Sequence, residues 1–222
     1  WMNAAAKAGD DLEFIYPGKN WIGHGEEVGN WPTDNNREIN WYKNNNFGSY
    51  KSYHVLNSNS DYFGGYWHDE NFGFGHYSDF DEKPGKKLWI WGLAPEGMIW
   101  EDLMTDTDGQ YIEFQAGKLF NQAANSSTRT PFKHKEFAPH DTDIMNEMWF
   151  PLKETGGMVA VSKFAALNVV EKDGSQNITL SALQTVSDDL KIYRNDILIN
   201  HRDDILKIHG NAILIINHRT AI

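Results

Sequence analysis

Alternation of apolar and polar positions is the dominant signal along this chain. In GQYIEFQAG (109–117), Ile112 and Phe114 fall on one side and Tyr111, Glu113 and Gln115 on the other, because successive strand side chains point to opposite faces. In KKLWIWG (86–92), Leu88 and Ile90 take a core face and leave Trp89 and Trp91 side by side on the opposite one. The runs NITLSAL (177–183), DDLKIYR (188–194) and NDILIN (195–200) carry the pattern toward the end of the chain. Turn signals at YPG (16–18), KPGK (83–86) and APEG (94–97) cut the first part into short strands. Helical periodicity is weak, and its best candidate, TDIMNEMWF (142–150), ends in two strand-forming aromatics. These features predict an all-β protein.

Composition divides that prediction in two. Of the 30 aromatic residues, 28 lie at or before Phe150, and only Phe164 and Tyr193 follow. Beyond residue 170 the chain is rich in Ile, Leu, Asn and Asp, so two all-β units are expected, over 1–170 and 171–222. The segments NDILINHR (195–202) and NAILIINHR (211–219) form either a short two-strand repeat or a hairpin-like pair; a solenoid needs at least three units. The opening WMNAAAKAGDD has no basic-then-apolar leader, and the natural N-terminus is expected to lie upstream.

Charge and the missing cysteines narrow the chemistry. A net charge of -11 with scattered Lys and Arg repels phosphate backbones and argues against a nucleic-acid partner. The longest apolar run, AILII (212–216), is far shorter than the roughly 20 residues of a membrane-spanning helix. With 0 cysteines, disulfides, zinc-thiolate sites and thiol nucleophiles are all excluded. No motif calls for a cofactor.

Two stretches hold most of the candidate chemistry. GGYWHDENFGFGHYS (64–78) combines His68 and His76 with Trp67, Asp69 and several other rings. On one continuous strand the two histidines would share a face about 26 Å apart, so only a hairpin through 71–75 brings them together. No third ligand at metal-binding spacing accompanies them, and imidazoles suit acid/base work near neutral pH. WEDLMTDTDGQY (100–111) places Asp106 and Asp108 beside Gly109. Against the EF-hand template, Met104 and Gln115 occupy the first and last ligand positions, so a calcium loop is incomplete and an Asp-Gly turn accounts for the aspartates; a calcium ion there stays an open alternative. Rings for C–H faces and polar forks for hydroxyls, as in Trp67, Asp69, Trp89, Trp91, Asp106, Asp108, Tyr111 and Gln115, are what a sugar requires.

The segments WYKNNNFGSYKSYHV (41–55), FGGYWHDENFGFGHYS (63–78), PGKKLWIWG (84–92) and WEDLMTDTDGQYIEFQAGKLFNQ (100–122) resemble a bacterial family, domain of unknown function 5107, often found ahead of tetratricopeptide repeats. The resemblance covers residues 1–170. It implies a galactose mutarotase-like β-supersandwich, incomplete at its N-terminal side and followed by a smaller β-sandwich segment. It also implies a carbohydrate ligand, and tetratricopeptide repeats downstream as partners. Mutarotases carry their catalytic glutamate in a strand motif L-E-x-Q, to which YIEFQ (111–115) is similar; the resemblance therefore implies Glu113 as base, with His76 or His68 as acid. The expected function is acid/base chemistry on a sugar, of glycoside hydrolase or aldose epimerase type. The alternative is a non-catalytic carbohydrate-binding or protein-interaction scaffold. A periplasmic or extracellular location is favoured slightly over a cytoplasmic one.

Overall fold

A computed structural model describes residues 2–25, 27–56, 59–91, 94–106, 109–118, 138–172, 175–185, 193–194, 197–198 and 213–219. The chain divides into two compact units, Trp1–Pro151 and Leu152–Ile222. Its described residues are mostly strands in antiparallel sheets, as the alternation predicts.

The first unit holds two main sheets. The larger has six strands in the order β1 (Met2–Ala8), β11 (Gln110–Gly117), β10 (Gly85–Ile90), β7 (Lys51–Leu56), β3 (Asn20–Ile22) and β4 (Val28–Asn30). The smaller runs β12 (Met148–Lys153), β9 (Phe72–Tyr77), β8 (Tyr62–Trp67) and β2 (Leu12–Ile15), and a ribbon of β5 (Thr33–Asp34) and β6 (Arg37–Glu38) stands beside them. The inward faces of the two main sheets meet in an aromatic core. Phe114 of the larger sheet lies 4.7 Å from Phe74, 5.8 Å from Phe14 and 5.9 Å from Phe63, centroid to centroid, all three on the smaller one. Leu88, Ile90 and Ile112 are buried beside it. This layering is a β-sandwich.

The glycines of the 64–78 stretch are there for closeness. A Cβ on Gly65 would meet Phe114 Cζ at 3.0 Å, so its absence lets the ring seat. A Cβ on Gly73 would stand 2.4 Å from the Gly65 carbonyl oxygen across the β8–β9 pair.

In the second unit, β13 (Ala160–Val161), β14 (Ala165–Lys172), β15 (Ser175–Ala182) and β18 (Ile213–Arg219) form one sheet. A two-stranded pair joins β16 (Tyr193–Arg194) to β17 (Ile197–Leu198). The two similar segments of the tail therefore have different partners: β17 pairs with β16, and β18 pairs with β15 from Ser175↔Arg219 to Ser181↔Ile213. Much of the first segment lies outside the described residues.

Two local expectations change. The helical candidate 142–150 ends instead in strand β12, where burial of Phe150 and Leu152 alternates with exposure of Pro151 and Lys153. A short helix, α1 (Ile99–Met104), forms where the acidic stretch suggests only a turn; Glu101 and Asp102 in its first turn suit the positive end of the peptide dipoles. Among the described residues no helix is long and apolar enough to cross a membrane.

Gly73→Ala pushes a methyl against backbone, which cannot swing aside as a side chain can. The variant should lose about 1–3 kcal/mol of stability and several degrees of Tm in a thermal melt. An unchanged Tm would contradict the close approach.

Candidate functional site

The pairing of β10 with β11 assembles a polar and aromatic face on the outer side of the larger sheet. Trp89 stands opposite Glu113 and Lys87 opposite Gln115; from β7, Ser52 stands opposite Trp89 and His54 opposite Lys87. Residues opposed on antiparallel strands share a face, and Leu88, Ile90, Ile112 and Phe114 already occupy the inner one. Trp91 continues the row, its ring 4.9 Å from that of Trp89. Tyr50 stacks on Trp89 at 5.2 Å with 13° between planes and lies 5.4 Å from Trp91. From the β3–β4 turn, His24 meets Trp89 edge-on at 4.9 Å, while its backbone N–H donates to Ser52 Oγ at 2.8 Å. Trp100 of α1 closes the far end, 6.2 Å from Trp91 and 6.1 Å from Tyr111.

Glu113 is held at both oxygens. Trp91 Nε1 donates to Oε1 at 3.0 Å, and the Gln115 amide donates to Oε2. Tyr111 hydrogen-bonds the same carboxylate; burial, with the Glu113 charge adding to it, raises this phenol so far that it stays neutral. Lys87 is fully buried, with its ammonium 4.4 Å from the centroid of the Trp89 ring. Burial pulls its pKa down to about 7, and the Glu113 charge works in the opposite direction. His24 is lowered by burial first and by Lys87 second, against Glu27. On this face the buried atoms Trp89 Nε1, Gln115 Oε1 and His24 Nδ1 find no hydrogen-bond partner among the described residues. Buried polar groups are normally satisfied, so these atoms carry unmade hydrogen bonds behind the exposed rings. The exposed ring surface belongs to Tyr50, at 38%, and to the half-buried Trp91, whereas Trp89 at 8% is a backing layer.

Five of the residues singled out in the sequence, Trp89, Trp91, Tyr111, Glu113 and Gln115, thus share one face. The others lie elsewhere. His76 stands opposite Phe63 on the inner side of the smaller sheet, its ring 5.2 Å from Phe63 and 4.6 Å from Trp149, so the larger sheet separates it from Glu113. It bonds Glu147 at 2.9 Å, and Lys83 donates to the same carboxylate oxygen. His68, at the β8–β9 turn, pairs with Glu13 at 2.8 Å between the rings of Trp41 and Tyr66, on the outer side of the smaller sheet. Trp67 packs in the core 6.0 Å from Phe74, and the exposed Asp69 donates its backbone N–H to Asp11 Oδ2 at 3.0 Å. Asp106 occupies a left-handed turn position at φ 51°, and Asp108 lies outside the described residues. Among the described residues no three His, Cys, Asp or Glu side chains gather as metal ligands.

Lys87, His24, Tyr50, Ser52 and His54 were not singled out in the sequence. Lys87 had a signal: strand alternation sets it on the same face as Trp89 and Trp91. The others reach the site through the strand order β10–β7–β3, which pairs segments distant in sequence.

A family model for a domain of unknown function, DUF5107, matches residues 1–152. A crystal structure of a TPR-domain containing protein from Parabacteroides distasonis is similar at 21% identity and a TM-score of 0.44, over 68% of this chain and 24% of that one. The chain therefore spans about a quarter of that protein's length.

The His76 cluster generates a pH prediction. Burial lowers His76 to about 4, against the hydrogen bond it makes to Glu147, so between the ordinary 6.5 and that value the unfolded chain takes up a proton that the folded one refuses. Burial would raise Glu147, but hydrogen bonds from Lys83 and His76 outweigh it and hold the carboxyl low. Both groups therefore add stability that is lost as pH falls. The histidine's share is on the order of 3 kcal/mol between pH 6.5 and 4. Melts across that range should show a steeper loss of Tm in the native chain than in His76→Gln; equal slopes would contradict the assignment.

Proposed function

This chain belongs to the DUF5107 family, and we propose that its first unit binds a carbohydrate on the outer face of the six-stranded sheet and performs acid/base chemistry there, with Glu113 as the reacting carboxylate. The observation that carries this reading is the immobilised Glu113, fixed by Trp91 and Gln115 beside the stacked rings of Tyr50, Trp89 and Trp91. Tyr50 and Trp91 supply ring surface for the C–H face of a sugar. A carboxylate and an imidazole flanking one bound ring are the elements of proton transfer at an anomeric centre. His24 is the imidazole that meets this aromatic wall at its half-buried edge.

The mutarotase-like reading of the fold rests on the YIEFQ strand (111–115) and agrees with the sandwich layering. Epimerisation and hydrolysis differ in the group that leaves the anomeric carbon, and both use such a pair. Downstream tetratricopeptide repeats and a periplasmic or extracellular location belong to this proposal as well. One observation favours a second reading, binding without turnover: both oxygens of Glu113 already accept hydrogen bonds, an arrangement that suits a ligand anchor as well as a base.

Glu113→Gln keeps size and hydrogen bonding and removes the charge. On a sugar that the native chain converts, the variant should fall 10²-fold or more in turnover, with Tm unchanged and affinity altered less than tenfold. Undiminished turnover would remove Glu113 from the chemistry. Retained binding with no turnover by the native chain selects the binding reading, and no binding to any member of a broad glycan array contradicts both.

A further inference from the structure

Lys87 has a setting unlike that of a surface lysine. It lies at the middle of the six-stranded sheet, between Gln115 on β11 and His54 on β7, and it is fully buried. Its ammonium sits against the π face of Trp89, and Trp89 stands directly opposite Glu113. An ammonium in such a place is costly unless a countercharge or a ring face compensates it. Here the Glu113 charge and the Trp89 ring provide both.

We propose that Lys87 is the positioning residue of this site, a buried cation that holds the Trp89 indole and the Glu113 carboxylate in their places and whose proton sets the state of the aromatic wall. The proposal rests on the carbohydrate reading for the identity of the ligand, but not for the clamp itself. The lysine need not touch a sugar; it acts through Trp89, which backs Tyr50 and Trp91, and through Glu113, which Gln115 and Trp91 fix from the other side.

Every charged or titrating neighbour bears on this clamp. Glu113 faces Lys87 from β11, with Tyr111 farther along the same strand face, His54 from β7, and His24 with Glu27 from the β3–β4 turn, while β1 places Lys7 at the register position opposite Tyr111. Tyr111 is raised and His24 lowered, so neither gains charge as pH rises from neutrality. With the lysine lowered to about 7, the ammonium is present below neutrality and lost above it. Losing it removes a positive charge that offsets Glu113 and the cation over the Trp89 ring.

The test is a titration of the ligand-free full chain from pH 5.5 to 9, following the assigned Trp89 indole N–H by NMR, in the native protein and in Lys87→Met, Lys87→Arg and His54→Gln. The native protein and His54→Gln should show one step near pH 7. Lys87→Met should show none and sit at the high-pH position, and Lys87→Arg should show none and sit at the low-pH position. If Lys87→Met does not fold, Lys87→Arg decides alone, because arginine keeps the charge and does not titrate. A step that survives in either Lys87 variant, that disappears in His54→Gln, or that is missing from the native protein overturns the proposal. A second arm titrates D-galactose as the probe at pH 6 and 8.5. Affinity should fall at least threefold at the higher pH in the native protein and stay level in Lys87→Arg; an equal fall in both overturns the coupling to binding. No galactose binding at either pH counts against the carbohydrate reading alone, and the ligand-free step still decides Lys87.

Discussion

The register between β10 and β11 is the constraint on which the rest of the first unit depends. Leu88↔Phe114 and Ile90↔Ile112 fall on the inner side and form the floor of the aromatic core, while Trp89↔Glu113 and Lys87↔Gln115 fall on the outer side and form the candidate site. Because side chains alternate with a period of two, one slip of register would expose Phe114 and bury Glu113 against Phe14 and Phe63. The buried apolar pairs thus hold the carboxylate in place: the packing that stabilises the sandwich also fixes the geometry of the candidate site.

The same logic explains why polar groups sit in three distinct settings. On the outer face of the larger sheet, Tyr50 and Trp91 leave ring surface accessible, and behind them buried polar atoms carry unmade hydrogen bonds. Inside the smaller sheet, His76 Nε2 and the Lys83 ammonium both bond Glu147, and Lys86 donates to the carbonyls of Ser60 and Lys83. These bonds offset part of the cost of burying the charged groups, and their consequence is pH-dependent stability. On the outer side of the smaller sheet, Asn40 and His68 engage the two oxygens of Glu13, while the bridge between Glu13 and Trp41 fastens the 40–41 segment to the sheet edge.

The sequence makes the all-β class legible because alternation is local. Ile112 and Phe114 pointing in, with Trp89, Trp91 and Glu113 pointing out, follow from it without knowledge of any partner strand. Strand order is not local. His68 and His76 look close in a rich segment, yet the β8–β9 hairpin puts one at its turn and the other on its inner face. His24 and His54 look unrelated to Trp89, yet β3, β7 and β10 pair side by side. Lysines read as solvated by default, which hides Lys87 until its burial is seen. The helix at Ile99–Met104 is missed for another reason, since six residues carry too little periodicity to register beside an Asp-Gly turn.

The central claim is that ligands meet this protein on the outer face of the larger sheet. Indole N–H shifts in a two-dimensional NMR spectrum report on it directly, because the tryptophans are spread over both sheets. As a glycan that binds is titrated in, Trp91 and Trp89 should move first and furthest, while Trp41, Trp67 and Trp149 stay in place. Saturable shifts centred on Trp41, with Trp89 and Trp91 unmoved, would place the ligand beside Glu13 and His68 and contradict the account.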